Sequence, residues 1–254
     1  MKRLLALLLV CILAASALSA CSIFPRFSQQ RPTEQVNTTP TASAVTEAPA
    51  ATAAPTAAPA TEVPIGTLDN YVKTAKKASF TFEDGDTRTY QIPEILLDSD
   101  DARAANDEIM GRFGDDVREY DDYSPVVALD YEAYLNDAYL SVIVTGKFDG
   151  GNSYGLCYTF NVTNGNELNS STLCSATGRD YNTALSKLTE NLTAEYDAKF
   201  GSMPGNDGER SKTLDSANIK AAKMYLDGSG KLMAMVDVYA AVGGGHWVYS
   251  IAAE

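Results

Sequence analysis

From Ser28 to about Gly66 the chain is built almost entirely from Thr, Ala, Pro, Gln and Val, as in Thr52-Ala53-Ala54-Pro55-Thr56-Ala57-Ala58-Pro59. A segment of that composition cannot bury enough apolar surface to offset its ordering entropy, and its prolines stiffen it toward polyproline II. It is expected to be a disordered tether. As a coil, its length corresponds to a root-mean-square span of roughly 35 Å, or up to about 120 Å when extended. A fold therefore has to come from residues 67–254. That is one domain's worth of chain, long enough to enclose a hydrophobic core.

What precedes the tether reads as an address. Lys2 and Arg3 lead into an apolar run from Leu4 to Leu18, and Leu18-Ser19-Ala20-Cys21 closes it. A basic start, an apolar stretch and a small-residue cleavage site make a secretory signal. A cysteine directly after the cut makes it a bacterial lipoprotein signal, residues 1–20, with a diacylglycerol on Cys21. The alternative is an ordinary signal peptide that leaves Cys21 a thiol. Leu18, three residues before Cys21, is too large for ordinary cleavage and suits lipoprotein processing. The expected location is extracytoplasmic, anchored by the Cys21 lipid to the bacterial membrane, with residues 21–66 as the lipidated N-terminus and tether.

The domain holds 16 basic and 30 acidic residues, a formal charge of −14. Such a body is a poor partner for nucleic acid, anionic lipid or anionic wall polymers, and it attracts cationic peptides or proteins. Solubility alone would also account for it.

Cys11 leaves with the leader and Cys21 takes the lipid, so Cys157 and Cys174 remain as a pair outside the cytoplasm. Thr163-Asn164-Gly165-Asn166-Glu167 between them signals a hairpin. With Gly165-Asn166 as a two-residue turn, facing residues have numbers that add to 331, as 157 and 174 do. An Asn164-Gly165 turn places the cysteines diagonally. A Cys157–Cys174 disulfide is expected, with two thiols as the alternative. It would stabilise the fold by roughly 3 kcal/mol.

Ser79–Phe82 and Arg88–Ile92 alternate around Asp84-Gly85-Asp86 as a hairpin, with Pro93 ending the second strand. A helix is expected from near Asp98, with an apolar stripe of Ala102, Ala105, Ile109, Phe113 and Val117. Strands are expected at Val126–Leu135, Tyr139–Phe148, Tyr154–Val162 and Leu168–Cys174. A second helix runs from Asp180 to about Phe200, with Leu185, Leu188, Leu192 and Tyr196 inward and Gly201 as its stop. Met203–Asp215 reads as a polar loop. Strands at Ile219–Leu226, Lys231–Tyr239 and His246–Ile251 complete the domain. The order implies an α+β fold, an antiparallel sheet with two main helices packed on it.

Few residues suggest chemistry. Gly151-Asn152-Ser153-Tyr154-Gly155 matches a G-x-S-x-G nucleophile elbow, and aspartates and the sole histidine, His246, follow Ser153 in hydrolase order. An elbow needs a strand, a tight turn and then a helix, whereas residues 156–160 continue as a strand. A glycine-rich hairpin turn explains the match, and an esterase-like use of Ser153 and His246 is the alternative. One histidine and no spare cysteine do not form a usual zinc set. Acidic clusters at Asp84/Asp86, Asp98/Asp100/Asp101 and Asp121/Asp122 offer calcium ligands as an alternative reading, but none has EF-hand spacing, and capping or turn formation explains most of them. No dinucleotide or P-loop pattern occurs, so no cofactor is implied. His246 and Trp247 follow Gly243-Gly244-Gly245. Trp247 is expected in the core of a terminal strand, with a ligand platform of His246 and Trp247 as the alternative.

The order of elements carries a resemblance. Ala104-Ala105-Asn106-Asp107-Glu108-Ile109 follows Tyr90-Gln91-Ile92-Pro93-Glu94-Ile95. Leu140-Ser141-Val142-Ile143, Lys147-Phe148-Asp149-Gly150-Gly151 and Tyr158-Thr159-Phe160-Asn161-Val162-Thr163-Asn164-Gly165 come next. Met224-Tyr225-Leu226-Asp227-Gly228-Ser229-Gly230 then leads to Val236-Asp237-Val238-Tyr239. Over most of residues 78–252 this resembles the RsiV-like extracytoplasmic domain, shared by lysozyme-sensing anti-sigma factors and the N-terminal part of peptidoglycan deacetylases. Leu173-Cys174-Ser175-Ala176 and the segment from Ala240 to Trp247 depart from the family pattern. Neither a sigma-binding segment nor a deacetylase domain accompanies the resemblance here. It implies a non-enzymatic envelope module that contacts a wall component or a protein, a cationic protein such as lysozyme among them. It places no binding residue.

Overall fold

The computed structural model describes residues 65–81, 85–115, 126–148, 150–241 and 245–254. The leader, the lipidation site Cys21 and almost all of the tether lie outside the described residues. So do Phe82, Asp84, Val117, Asp121, Asp122, Gly243 and Gly244. No helix among the described residues is long and apolar enough to cross a membrane.

The α+β expectation holds, with two sheets where one was expected. The first sheet runs in the order β1 (Val72–Thr81), β2 (Thr87–Ile95), β3 (Val126–Asn136), β4 (Tyr139–Phe148), β5 (Ser153–Asn161) and β6 (Asn166–Glu167). All of its neighbours are antiparallel except β2 and β3, which meet in parallel at Tyr90 and Leu129. Pro93 does not end β2. It pairs with Thr74 beside a bulge in β1, a place where a missing N–H is tolerated.

Helix α1 (Asp100–Phe113) starts where the Ser99 hydroxyl accepts the Ala102 N–H. Its stripe of Ala102, Ala105, Ile109 and Phe113 is buried against one face of the first sheet, among Tyr90, Ile92, Tyr158 and Phe160. Helix α3 (Tyr181–Phe200) is capped by Asp180 and buries Ala184, Leu188, Leu192, Tyr196 and Phe200. It packs on the second sheet, β7 (Lys223–Leu226), β8 (Leu232–Tyr239) and β9 (His246–Ala252), against Leu232, Ala234, Val236 and Val238. Leu185, expected inward, is only half-buried, and Ala184 takes the buried place.

The other faces of the two sheets meet. Ile143 and Cys157 of the first sheet pack on Tyr225 and Met235 of the second. Hydroxyls tie them together: Ser141 accepts the Leu226 N–H at 3.1 Å, and Thr159 donates to the Met224 carbonyl at 3.3 Å. The layers therefore run α1, first sheet, second sheet, α3.

Three expectations need correction, all around Leu168–Leu226. The predicted strand Leu168–Cys174 is instead α2 (Ser170–Ala176), because the Asn169 side chain accepts the Thr172 N–H and starts a helix. Met203–Asp215 is not a loop throughout. It holds α4 (Asp207–Thr213), with acidic residues in its first turn and basic ones in its last. Ile219 lies in α5 (Ser216–Ala221), where Asp215 accepts the Ala217 N–H, so β7 begins four residues later than expected.

The Cys157–Cys174 disulfide is corrected with them. Facing residues across the β5–β6 turn are 160 and 167, and 161 and 166, so their numbers add to 327. The loop spans four residues, with Gly165 in the left-handed region at φ +74°. By residue 174 the chain has turned into α2. Both cysteines are buried thiols in different cores, Cys157 between the sheets and Cys174 beside the Met224 sulfur at 3.7 Å. Burial pushes the Cys157 thiol up to about 12 and raises that of Cys174. Iodoacetamide at pH 8 is expected to leave both unmodified in the native protein and to label both in guanidinium without reductant. Peptide mass mapping would read them separately from Cys11 and Cys21. A linked 157–174 peptide pair in the unreduced digest would refute the assignment.

Candidate functional site

The sole histidine sits at the start of the edge strand β9, opposite Tyr239 of β8. Asp237, two residues earlier on β8, projects from the same face, and its Oδ1 lies 3.1 Å from His246 Nε2. The His246 N–H donates to the Asn152 side chain at 3.3 Å, which fixes β9 against the start of β5. The imidazole lies between two tyrosine rings, Tyr154 at 4.8 Å and Tyr239 at 5.1 Å between centroids. Each tyrosine carries a cation. The Arg112 guanidinium lies 5.0 Å from the Tyr154 centroid, and the Lys212 ammonium 3.5 Å from that of Tyr239. Five side chains from α1, β5, β9, β8 and α4 thus form one ladder: Arg112, Tyr154, His246, Tyr239, Lys212.

The ladder lines two hollows. A cleft of about 600 Å³ opens between α1, β5 and the second sheet, with Glu108, Arg112, Tyr154, Asp237 and His246 on its walls. A smaller one of about 370 Å³, lined by Glu209, Lys212, Tyr239 and Gly245, shares His246 with it. Glu108 accepts from the Tyr158 hydroxyl at 2.9 Å. Burial, and then that bond to a carboxylate, raises the Tyr158 phenol. Tyr239 is raised by burial and then by the charges of Asp237 and Glu209.

A buried amide positions this face. Asn206 donates to the Tyr196 hydroxyl at 2.7 Å and accepts the Ala241 N–H at 2.9 Å. Tyr196 in turn donates to the Tyr239 carbonyl at 2.8 Å, and Thr213 donates to the same oxygen at 3.1 Å. The backbone that presents Tyr239 is therefore set by α3 and α4.

The alternative reading, His246 and Trp247 as one platform, does not match the strand geometry. Neighbours in a strand point to opposite faces. His246 enters the cleft, while Trp247 stacks on Phe200 at 5.6 Å and packs against the α3 core. Ser153 is buried, and its Oγ accepts the Val248 N–H at 3.0 Å, tying β5 to β9. Residue 153 opens a strand, so the elbow context is absent. Asp98 and Asp100 pair with Arg103, Asp86 lies 3.9 Å from Arg88, and Asp101 accepts the Glu167 N–H.

Asp237, Arg112 and Lys212 carried no signal that was read from the sequence. One was present: Asp237 lies between Val236 and Val238, a carboxylate inside an apolar strand. No family model matches the chain, and the search of curated proteins gives no match.

Proposed function

We propose that this chain is a lipoprotein of the bacterial envelope, anchored through Cys21, whose domain binds a wall component or a cationic protein without catalysis. The observation that carries the reading is the His246 cleft. It gathers carboxylates, an arginine and aromatic faces into a concave surface, the usual make-up of a binding site. The acidic surface favours cationic partners and disfavours nucleic acid. The resemblance to RsiV-like domains points the same way.

Capture of isolated wall sacculi and of a lysine-rich polypeptide, each at low and high salt, tests the proposal. One of the two is expected to be retained, and retention of the polypeptide should fall as salt screens the charges. His246→Ala should cut retention by about tenfold, the equivalent of one good contact. Undiminished capture by that variant would remove the cleft from the function.

An esterase-like reading draws on the Asp237–His246 pair, the arrangement that orients a general base. Against it stands the Ser153 hydroxyl, buried between strands and engaged with Val248. Turnover of a p-nitrophenyl ester that Ser153→Ala abolishes would reverse the preference.

A further inference from the structure

The two hollows follow one plan on either side of the His246 ring. On one side α1 supplies a carboxylate and, a turn later, a cation, Glu108 and Arg112, with the cation over Tyr154. On the other side α4 supplies Glu209 and Lys212, with the cation over Tyr239. Both tyrosine rings lie tilted against the shared imidazole. Each half thus holds hydrogen-bond acceptors, donors and an aromatic ring, the set that recognises a hydroxyl-bearing ring.

Resting on the proposal that this face is a binding surface, the geometry points to a ligand that itself repeats: a glycan chain of uncharged sugar units, one unit over each half and the linkage above His246. The charge agrees. Each half pairs one carboxylate with one cation, and Asp237 adds a further negative charge at the centre, which opposes a polyanion. Asp237 is also held in place, through the bond between its Oδ1 and the imidazole.

Gly111 adds a second, independent sign. It lies in α1 between the two cleft residues Glu108 and Arg112, where glycine is unfavourable relative to alanine. A side chain there would meet nothing within 4 Å. Its absence leaves the cleft wall open without serving the packing of the helix.

The test is isothermal titration of the full chain in detergent with N-acetylglucosamine, its β-1,4-linked tetramer, cellotetraose and an octalysine peptide. At least one tetramer is expected to bind about tenfold or more tighter than the monosaccharide, since the second unit binds intramolecularly. Gly111→Phe fills one half and Lys212→Ala strips the other, both at exposed positions, and a melting temperature no lower than that of the wild type confirms the fold. Each should reduce the tetramer to the level of the monosaccharide. Equal affinity for monomer and tetramer, or indifference of the tetramer to either variant, overturns the inference. If octalysine alone binds and Gly111→Phe abolishes it, the glycan assignment fails and the binding site stands. If no probe binds and capture of sacculi is unaffected by either variant, both fail.

Discussion

Asn206→Leu is expected to lower the stability of the domain by about 3 kcal/mol, which for a chain of this size corresponds to a melting temperature roughly 10 °C lower. The substitution keeps the branching and heavy-atom count of the side chain and does not shrink it, so no cavity term enters. What it removes is a donor and an acceptor at a site only 5 % exposed. The Ala241 N–H loses its acceptor, and the Tyr196 hydroxyl loses the donor that orients it toward the Tyr239 carbonyl. Each polar group stranded in a buried place costs about 1–3 kcal/mol, whereas the net gain of a made bond is nearer 1. Tyr196→Phe breaks the same chain of bonds from its other end. The double variant should therefore lose less than the two single losses combined, by about 1 kcal/mol. Thermal and urea unfolding of the four proteins measures the cycle. A loss under 1 kcal/mol for Asn206→Leu, or strict additivity, would show that water replaces the amide and that the Tyr239 half of the site is not set by this network.

That network illustrates which parts of the molecule a sequence discloses. Helix α1, helix α3 and most strand limits follow from apolar spacing, because one face of each is buried and the other is not. The stacking of two sheets leaves no such trace. Ser141, Ser153 and Thr159 are small polar residues that read as a solvent face, yet all three are buried, bonding the backbone of β7 and β9. Polar residues that satisfy the edge groups of a second sheet look the same in sequence as residues that face water. Helices α2 and α5 were hidden for a related reason. Asn169 and Asp215 each cap a helix through one side-chain oxygen, and that single bond outweighs weak strand patterning in the residues that follow.

The site divides in the same way. His246 stood out because it is the only histidine, and the pairing with Trp247 failed because strand neighbours diverge. Arg112, Tyr154, Tyr239 and Lys212 are brought together from four separated elements. Only the crossing of β9 over the start of β5, pinned by Asn152 and Ser153, makes them neighbours. Composition shows that such residues exist, but the register of β8 and β9 decides which of them meet.

A reversal of sign is expected at Gly146, and it tests how α1 is held beneath the cleft. Phe113 ends α1 with 1 % of its surface exposed, and its ring reaches the β4 backbone at Gly146. A methyl group at Gly146 would stand 3.1 Å from a Phe113 ring carbon, tighter than ordinary contact. In the wild-type background Gly146→Ala is accordingly expected to destabilise by about 1–2 kcal/mol, because the ring cannot retreat from a packed core without leaving its rotamer. Phe113→Ala alone should cost about 3–5 kcal/mol, the loss of a buried aromatic plus the cavity it leaves. With the ring gone, the methyl group at 146 fills part of that cavity, and alanine is also less costly than glycine in ordering a strand. Gly146→Ala should then become stabilising by a few tenths of a kcal/mol to about 1 kcal/mol, a coupling of about 2 kcal/mol across the cycle. Because α1 presents Glu108 and Arg112 just ahead of Phe113, the Phe113→Ala protein should also show weaker binding in the proposed cleft assays, and the double variant should recover part of that affinity. Urea unfolding in both backgrounds decides the matter. If Gly146→Ala has the same sign with and without the ring, contact between Phe113 and β4 does not seat the helix, and the rest of the α1 stripe, with the Glu108–Tyr158 bond, holds the cleft wall.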